Sequence, residues 1–268
     1  MARFPLRDRH IVITGASDGI GRSLAVDAAG RGARVTLAAR SAAKLEEVAA
    51  EIRRRGASAA IVPTDVADEQ ACRALIDNAI AAHGDIDVLV CNAGIGSATE
   101  GGDLLNLDAL RTMMGINFMG AVQPAIAALP SLRKRRGLLV AVSSLQGLMG
   151  FPGSAAYSAS KHAMQGYFDS LRFDLKDSGV DVLTVSPGPV ATSIHVSAAP
   201  RNARLSHEKI ERRSMAVGTC AALIADAIEA RSRNLVMTTG GKLAYALRPF
   251  VPQLVDNLLE RSVRAFYS

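Results

Sequence analysis

Short apolar runs alternate along the chain with longer stretches in which apolar residues recur every three or four positions. The first pattern is typical of buried strands and the second of amphipathic helices, so the chain predicts a regular alternation of strands and helices. Predicted strands lie at residues 10–15, 33–39, 58–66, 86–94, 137–144, 180–188 and 233–239, and predicted helices at residues 20–31, 42–56, 68–84, 104–132 and 155–177. The fourth helical pattern is interrupted near residues 117–120.

This alternation predicts an α/β fold, a Rossmann-like doubly wound parallel sheet in a single domain. The continuous apolar run at residues 86–94 suits a strand that is buried on both faces of such a sheet. We expect the main domain at residues 1–240 and a short amphipathic helical extension at residues 241–268. Ligands of this fold class bind at the carboxyl ends of the strands.

Composition supports one folded domain and argues against several classes of partner. The chain has 268 residues, of which 49% are hydrophobic and 21% charged, so a substantial core is available. The net charge is +6, but the basic residues are scattered. The densest run, "RKRR" at residues 133–136, is interpreted as the C-terminal end of a helix, and no nucleic acid partner is expected because no aromatic residues are interleaved.

The three cysteines indicate a reducing compartment. Cys72, Cys91 and Cys220 are widely spaced and form no metal-ligand pattern, so we expect neither a disulfide framework nor a metal site. We see no signal peptide in "MARFPLRDRH" and expect no uncharged apolar run long enough to span a bilayer. The predicted location is cytoplasmic.

The stretch "TGASDGIG" at residues 14–21 joins the first predicted strand to the first predicted helix. Its glycines, Gly15, Gly19 and Gly21, permit a tight turn and let the backbone approach a pyrophosphate at the helix N-terminus; Ile20 lies between the last two. An ordinary strand-to-helix turn is the alternative. The position at the first turn of an α/β chain favours a dinucleotide.

The stretch "YSASK" places Tyr157 and Lys161 four residues apart, on one face of a predicted helix. The small residues between them leave that face open for a ligand. An ordinary surface pair is the alternative. A nearby ammonium favours the phenolate form, so we expect Lys161 to lower the pKa of Tyr157 and make its proton labile.

Together with "NAG" at 92–94 and "PG" at 187–188, these motifs resemble the short-chain dehydrogenase/reductase family in order and in interval. The resemblance covers about residues 8–240. It implies hydride transfer between a nicotinamide and a carbonyl or secondary alcohol, with Tyr157 as acid/base.

The resemblance also implies roles for other residues. Lys161 would additionally hold the cofactor ribose, and Ser144, the second serine of "SS", would polarise the substrate oxygen. Asn117 would bend a helix and connect Lys161 to solvent through water. A relative that binds NADPH without turnover, which is the alternative from another class, would be expected to have lost Tyr157 or Lys161.

Further residues would line the cofactor by resemblance. Asp65 and Val66 would border the adenine, and Asn92, Ala93 and Gly94 would line the adenosine ribose. The nicotinamide end would be held by Pro187, Gly188, Val190 and Thr192.

The end of the second predicted strand bears on the choice between NADP(H) and NAD(H). An acidic residue there would accept hydrogen bonds from the ribose of NAD, but the chain has Ala39, Arg40 and Ser41. A guanidinium suits a phosphate, and Ser17 could add a hydroxyl. NADP(H) is therefore the predicted cofactor, with an NAD-linked member of the same family as the alternative.

The substrate is expected to be an uncharged, fairly apolar small-molecule carbonyl or alcohol. Residues 193–215 are interpreted as a lid, in which His195 is a candidate substrate contact. The loop at 145–155 is either an apolar pocket wall or ordinary core. The tail from residue 243 either packs against the domain or a partner subunit, or lies on a membrane surface. Family habit predicts a homodimer or homotetramer.

Overall fold

The structure is a computed structural model, and it describes residues 4–96, 106–192 and 212–267. Its centre is a parallel sheet of seven strands in the order β3-β2-β1-β4-β5-β6-β7. The strands are β1 (His10–Thr14), β2 (Arg34–Ala39), β3 (Ala59–Pro63), β4 (Val88–Cys91), β5 (Leu138–Val142), β6 (Asp181–Ser186) and β7 (Asn234–Val236). The strand order reverses between β1 and β4, which opens a crevice at their carboxyl ends. The predicted doubly wound sheet is confirmed.

Helices cover both faces of the sheet. Within the described ranges they are α1 (Gly19–Gly30), α2 (Ala42–Arg54), α3 (Glu69–His83), α4 (Leu107–Met113), α5 (Gly120–Arg135), α6 (Ala155–Asp174), α7 (Val217–Glu229), α8 (Thr239–Leu247) and α9 (Pro252–Tyr267). Apolar side chains of α1, α2 and α7 form one buried cluster with the sheet, and those of α3, α5 and α6 form the other. All seven predicted strands and five predicted helices are present, with ends shifted by a few residues.

Helix α7 was missing from the sequence prediction. Its buried residues Cys220, Ala221, Ile224, Ala225 and Ile228 recur at helical spacing. This pattern is the sequence signal for an amphipathic helix. The helix packs against α1 and completes that face of the sheet.

The interruption predicted near residues 117–120 is confirmed as a π-helix at Met114–Met119 between α4 and α5. Such single-turn π-helices insert an extra residue and commonly occur at functional sites. Gly120 follows it, and a Cβ there would lie 2.6 Å from Val66 Cγ2, so this end of α5 packs tightly below the crevice. Asn117 is the buried residue of the π-helix.

Two other expectations concern the stretch around α5. Arg133, Lys134 and Arg135 occupy its last turn, which confirms the interpretation of "RKRR" as a helix end. The expectation that no apolar run could span a bilayer is wrong. Within the described chain, the helical stretch Leu107–Arg135 is long and apolar enough by length and composition. Its α5 residues are packed in the core beneath the sheet, which explains that composition.

The C-terminal extension forms two helices, α8 and α9. In residues 252–265 the only buried side chain is that of Val255. Apolar side chains that are exposed here are Leu243, Tyr245, Leu247, Phe250, Val251, Leu254 and Leu258. Packing against the chain's own domain therefore covers little of this apolar surface. The domain boundary at residue 240 stays a prediction.

A buried histidine lies at the amino end of the sheet. The ring of His10 is enclosed, with Nδ1 2.9 Å from the Gly84 carbonyl oxygen and Nε2 2.9 Å from Thr36 Oγ1. It also meets the His83 ring edge-on at 5.2 Å between centroids. Burial lowers the pKa of His10 to about 4. This side chain is structural, because it lies at the edge of the sheet opposite the crevice.

We expect acid to destabilise the protein through His10. Because its pKa is lower in the folded chain than the unfolded value of 6.5, the unfolded chain binds more protons between pH 6.5 and about pH 4. Stability is full above pH 6.5 and falls by about 3 kcal/mol as the pH drops to 4, since each unit of pKa shift is worth ~1.4 kcal/mol. Urea unfolding at a series of pH values measures this loss.

The control for this prediction is His10→Asn, which removes the titrating ring. The variant should be less stable at pH 7 and lose less stability between pH 6.5 and 4. His83 contributes in the same direction, because burial lowers its pKa too, so His83→Asn is measured in parallel. Burial would raise the pKa of Asp87, but hydrogen bonds from His10 N–H, Arg9 and Arg135 bring it below the ordinary value, outside this window. An unchanged pH profile in His10→Asn would contradict the assignment.

Candidate active site

The glycine-rich turn between β1 and α1 packs directly on the segment after β4. Gly15 has φ +66°, and a Cβ there would lie 2.8 Å from Ala93 Cα. A Cβ on Gly21 would lie 2.3 Å from the Gly15 carbonyl oxygen, which leaves no room for a side chain. Asp18 caps α1 by accepting from Gly19 N at 2.7 Å. The turn therefore brings backbone to the floor of the crevice at a helix N-terminus, as expected of a phosphate-binding turn.

Thr14 connects this turn to the "NAG" segment and was overlooked in the sequence. Its buried hydroxyl accepts hydrogen bonds from Asn92 N at 3.0 Å and Ala93 N at 3.1 Å, and donates to the Val90 carbonyl at 3.3 Å. The Asn92 side chain donates in return to the Thr14 carbonyl at 2.9 Å. A threonine at the end of the first strand was the available signal.

A cavity of about 680 Å³ runs along the crevice. Its lining includes these predicted cofactor residues: Gly15, Ser17, Gly19, Ile20, Arg40, Ser41, Asp65, Val66, Asn92, Ala93, Gly94 and Thr192. It also includes residues that the sequence reasoning did not name: Asp18, Ala39, Lys44, Thr64, Ile95 and Ile116. Residues from six separate segments thus converge on one cavity at the carboxyl ends of the strands. The cavity is large enough for a dinucleotide's adenosine half.

One wall of the cavity is cationic. Arg40 lies beside Ser41, the N-cap of α2, and Lys44 follows one turn later. The first turn of α2 carries no acidic residue. Neither side chain, Arg40 nor Lys44, forms a hydrogen bond or ion pair with any residue that the structure describes. Two cations near a helix N-terminus make this wall suited to an anion, and the i, i+4 spacing from Arg40 was the signal for Lys44.

Asn117 joins three elements near the floor of the site. Its Oδ1 accepts from Ile95 N at 2.8 Å, and its Nδ2 donates to the Ile95 carbonyl and to Ser160 Oγ, both at 3.0 Å. The side chain is fully buried. Both Asn117 Oδ1 and Lys161 Nζ lie close to Gly94, where a Cβ would meet them at 3.1 and 3.5 Å. The π-helix thus carries Asn117 to the position expected beside Lys161.

The side chain of Lys161 is buried at the carboxyl end of β5. Its Nζ donates to the Val142 carbonyl, the last residue of β5, at 3.0 Å. The ammonium lies 5.8 Å from the centroid of the Tyr157 ring. Burial lowers the pKa of Lys161 to about 8, so the group still carries its charge at pH 7.

Ser144 and Tyr157 face each other across the site. Ser144 begins the short 3₁₀ turn Leu145–Gly147, and its Oγ accepts from Gln146 N at 3.1 Å. Burial raises the pKa of Tyr157, and a hydrogen bond from the Ser144 side chain partly offsets this rise. The expected net lowering of the Tyr157 pKa is wrong, because desolvation of the phenolate outweighs the hydrogen bond from Ser144. Tyr157 therefore keeps its proton at neutral pH.

The segment after β6 forms the other end of the site. The Pro187 carbonyl accepts from Leu145 N at 2.9 Å, which ties this segment to the Ser144 turn. A Cβ on Gly188 would lie 2.8 Å from Thr238 Cγ2. Val190 is buried and pairs with Met215 in an isolated parallel bridge. A Cβ on Gly19 would lie 3.2 Å from Thr192 Cγ2, so the end of this segment lies against the glycine turn.

Other candidates fall away from the site or outside the described chain. His162 is exposed and bonds the Ser158 carbonyl, as expected from its position on the helix. Residues 193–211 of the expected lid, including His195, are not among the described residues. In the loop at 145–155, Leu145 and Met149 are core residues, while Leu148 and Phe151 are half-buried.

The cysteines and potential metal ligands form no site in the described part of the chain. Cys72, Cys91 and Cys220 are buried free thiols. No group of three or more His, Cys, Asp or Glu side chains is placed to hold a metal ion there.

Comparison with known proteins agrees with this geometry. A family model described as "short chain dehydrogenase" matches residues 9–203. The chain belongs to the short-chain dehydrogenase family. Dehydrogenase/reductase SDR family member 7B of Rattus norvegicus is 32% identical over 271 residues, covering 97% of this chain and 82% of the rat protein. An 11-beta-hydroxysteroid dehydrogenase of Pinus massoniana is 30% identical over 265 residues, covering 94% and 73%.

Two solved structures share the fold. A short-chain dehydrogenase/reductase of Burkholderia phymatum in complex with NAD has a TM-score of 0.84 at 25% identity, covering 94% of this chain and 96% of its own. An alcohol dehydrogenase of Thermococcus sibiricus complexed with 5-hydroxy-NADP has a TM-score of 0.74 at 25% identity, covering 85% and 93%. The predicted family and fold are confirmed, and the chain is a short-chain dehydrogenase/reductase-type oxidoreductase that binds a nicotinamide cofactor.

Proposed function

We propose that this protein is an NADP(H)-dependent carbonyl reductase or alcohol dehydrogenase. It transfers hydride between nicotinamide and the carbonyl or secondary alcohol of an uncharged, fairly apolar small molecule. The observation that carries the proposal is the grouping of Tyr157 with Ser144, to which it is hydrogen-bonded, and with the buried Lys161. Lys161 Nζ also lies near Gly94, which lines the cavity that presents Arg40 and Lys44.

The acid/base role is given to Tyr157. The bound cofactor supplies hydride to the carbonyl carbon, and the developing alkoxide then needs a proton. The hydroxyl of Tyr157 gives its proton to that oxygen, while the Ser144 hydroxyl donates a hydrogen bond to the same oxygen and polarises it. Ser144 Oγ accepts from Gln146 N, and its single proton, which bonds Tyr157 in the structure, would turn to the substrate oxygen when the substrate binds. The charge of Lys161 stabilises the phenolate that remains.

Asn117 supports this chemistry from below. Its three hydrogen bonds hold the loop after β4, the π-helix and Ser160 in one arrangement. Lys161 Nζ keeps donor capacity beyond its bond to Val142, since an ammonium has three hydrogens. We assign that capacity to the cofactor ribose and to water leading to solvent.

The preference for NADP(H) rests on the cationic wall. Solved relatives bind NAD in one case and an NADP derivative in the other, so this chain's own residues must decide. Arg40, Lys44 and the hydroxyls of Ser17 and Ser41 suit a 2′-phosphate, and the same wall offers the NAD ribose no carboxylate.

An apolar substrate is supported by the surroundings of Ser144. The loop that follows it carries Leu148 and Phe151, whose half-buried side chains could form an apolar pocket wall. The Pinus massoniana relative is named as a steroid dehydrogenase, which fits a large apolar carbonyl class.

A carbonyl-panel assay tests the proposed function. We expect NADPH, followed by its absorbance, to be oxidised with apolar ketones and aldehydes, and NADH to be used far less efficiently. The dissociation constants of NADPH and NADH are measured alongside by fluorescence titration. Tight NADPH binding without any turnover would favour a non-catalytic NADPH-binding regulatory protein instead. Equal use of both cofactors would favour the NAD-linked alternative.

We further propose a cytoplasmic homodimer or homotetramer. Exposed Ile126 on α5 and Phe173 on α6 support a partner subunit on that face. The exposed apolar side chains of α8 and α9 fit either a partner subunit or a membrane surface. Cosedimentation with anionic vesicles and light scattering, each with and without residues 243–268, distinguish the two.

A further inference from the structure

Gln146 is connected to both sides of the Ser144–Tyr157 pair. Its backbone N–H donates to Ser144 Oγ at 3.1 Å. Its side-chain Oε1 accepts from the hydroxyl of Ser158, the neighbour of Tyr157, at 3.1 Å. Ser158 is buried on α6 and Gln146 is half-buried. The first bond holds the backbone of Gln146 beside Ser144, and the second holds its amide oxygen against α6.

The amide's other end has no partner. Gln146 Nε2 forms no hydrogen bond with any residue in the described ranges, and it is not among the buried polar atoms that lack one. It is therefore an accessible donor with two hydrogens. Because the amide oxygen accepts from Ser158, both hydrogens of the amide NH2 group stay available. A donor without a partner, on the residue whose backbone N–H bonds the hydroxyl of Ser144, is a means of recognising an acceptor on the substrate.

On the basis of the proposed function, we infer that Gln146 is a specificity-determining residue that donates to a second oxygen of the substrate. The preferred substrates are then apolar carbonyl compounds with another acceptor oxygen one or two carbons from the reacting carbonyl, such as diketones and keto esters. Ser144 and Tyr157 bind the reacting oxygen, and Gln146 Nε2 binds the neighbouring one. A site built to hydrogen-bond such an oxygen discriminates against the analogue that lacks it.

The test variant is Gln146→Glu. A carboxylate has nearly the same shape and still accepts from Ser158, so the bond to α6 is kept, but it cannot donate and repels an acceptor oxygen. The matched control is Gln70→Glu, the same change at an exposed position at the start of α3. Ser158→Ala is the second control, because it removes the bond to α6 and leaves both hydrogens of Gln146 in place.

The substrates are two matched pairs of ketones. Benzil and deoxybenzoin differ by a carbonyl in place of a methylene. Ethyl benzoylacetate and hexanophenone have chains of the same length and differ only in the oxygens of the ester. With NADPH in excess, we expect Gln146→Glu to lower kcat/KM for the oxygen-rich member of at least one pair about 10-fold more than for its partner, the effect of one lost hydrogen bond. Any effect of the new charge on Tyr157 is shared by both members and cancels in the ratio.

Two outcomes would overturn the inference. One is an equal loss for both members of both pairs, which would make Gln146 a structural support for Ser144. The other is an unchanged ratio in Gln146→Glu with a changed ratio in Gln70→Glu. Calorimetric binding of the same ketones to the complex with oxidised NADP gives the comparison without turnover. If no ketone is reduced at all, the proposed function fails, while the binding ratios still judge Gln146.

Discussion

Tyr157→Phe is expected to lower kcat for carbonyl reduction by about 1000-fold, within the range that a positioned general acid contributes. Only the hydroxyl is lost, so the ring keeps its packing and its contact with Lys161. The affinity for NADPH should stay within a few fold, because the cavity at the other end of the crevice is untouched. Single-turnover rates and fluorescence titration with NADPH measure the two quantities.

Tyr167→Phe is the matched control on the same helix. The ring of Tyr167 packs edge-on against Phe118 and Phe168, at 5.9 and 5.4 Å between centroids. This variant should keep full activity, since its hydroxyl lies away from the crevice residues. If the kcat of Tyr157→Phe stayed within about 10-fold of that of the original chain, Tyr157 would not be the general acid. The pH profile of the original chain gives a second check: reduction should persist at neutral pH, where Tyr157 holds its proton because burial raises its pKa.

The sheet could be predicted because its signal is local. Strands β1, β4 and β5 are fully buried along their whole length, so each is a continuous apolar run bounded by turn residues. Alternation with helices then limits the topology to a parallel, doubly wound order. The ends of the strands could not be predicted from the pattern, since β4 runs only from Val88 to Cys91 whereas the predicted strand covered residues 86–94.

The positions of the site residues followed from the motifs, whereas their electrostatics did not. Spacing along one helix places Tyr157 near Lys161, but the pKa of each depends on what covers it. Burial raises the pKa of Tyr157 and lowers that of Lys161, and Lys161 is contacted by β5 and by the segment after β4. Such distant contributions leave no mark on the "YSASK" pattern itself. The error about Tyr157 has this origin.

Residues recognised only from the structure share a feature. Lys44 was recognised because residues from other segments line the same cavity. Gln146 was recognised because its amide oxygen is bonded to α6 while its NH2 group has no partner among the described residues. Thr14 is the last residue of a strand that we interpreted only as an apolar run, so its hydrogen bonds to the segment after β4 were not predicted. Residue type and sequence spacing identify the functional residues that belong to a motif. Functional residues outside the motifs are recognised only from their neighbours in the folded chain.

Arg40→Asp is expected to lower kcat/KM for NADPH about 100-fold while leaving that for NADH unchanged or higher. The guanidinium would be replaced by a carboxylate that repels a 2′-phosphate and accepts hydrogen bonds from a free ribose. Loss of a charge-assisted hydrogen bond costs about 1.5–3 kcal/mol, which corresponds to this factor. Lys44→Ala should act in the same direction but less strongly, about 10-fold, because Arg40 remains.

The charge reversal needs a control, because the chain carries a positive net charge that attracts any anionic cofactor. Arg54→Asp makes the same change at the exposed far end of α2, away from the cavity. It should lower kcat/KM for NADPH and NADH alike and only slightly. If Arg40→Asp also affected both cofactors equally, its charge would act through the general field and not on a 2′-phosphate. The cationic wall would then be a solvated helix start, and the NAD-linked alternative would replace the proposed preference.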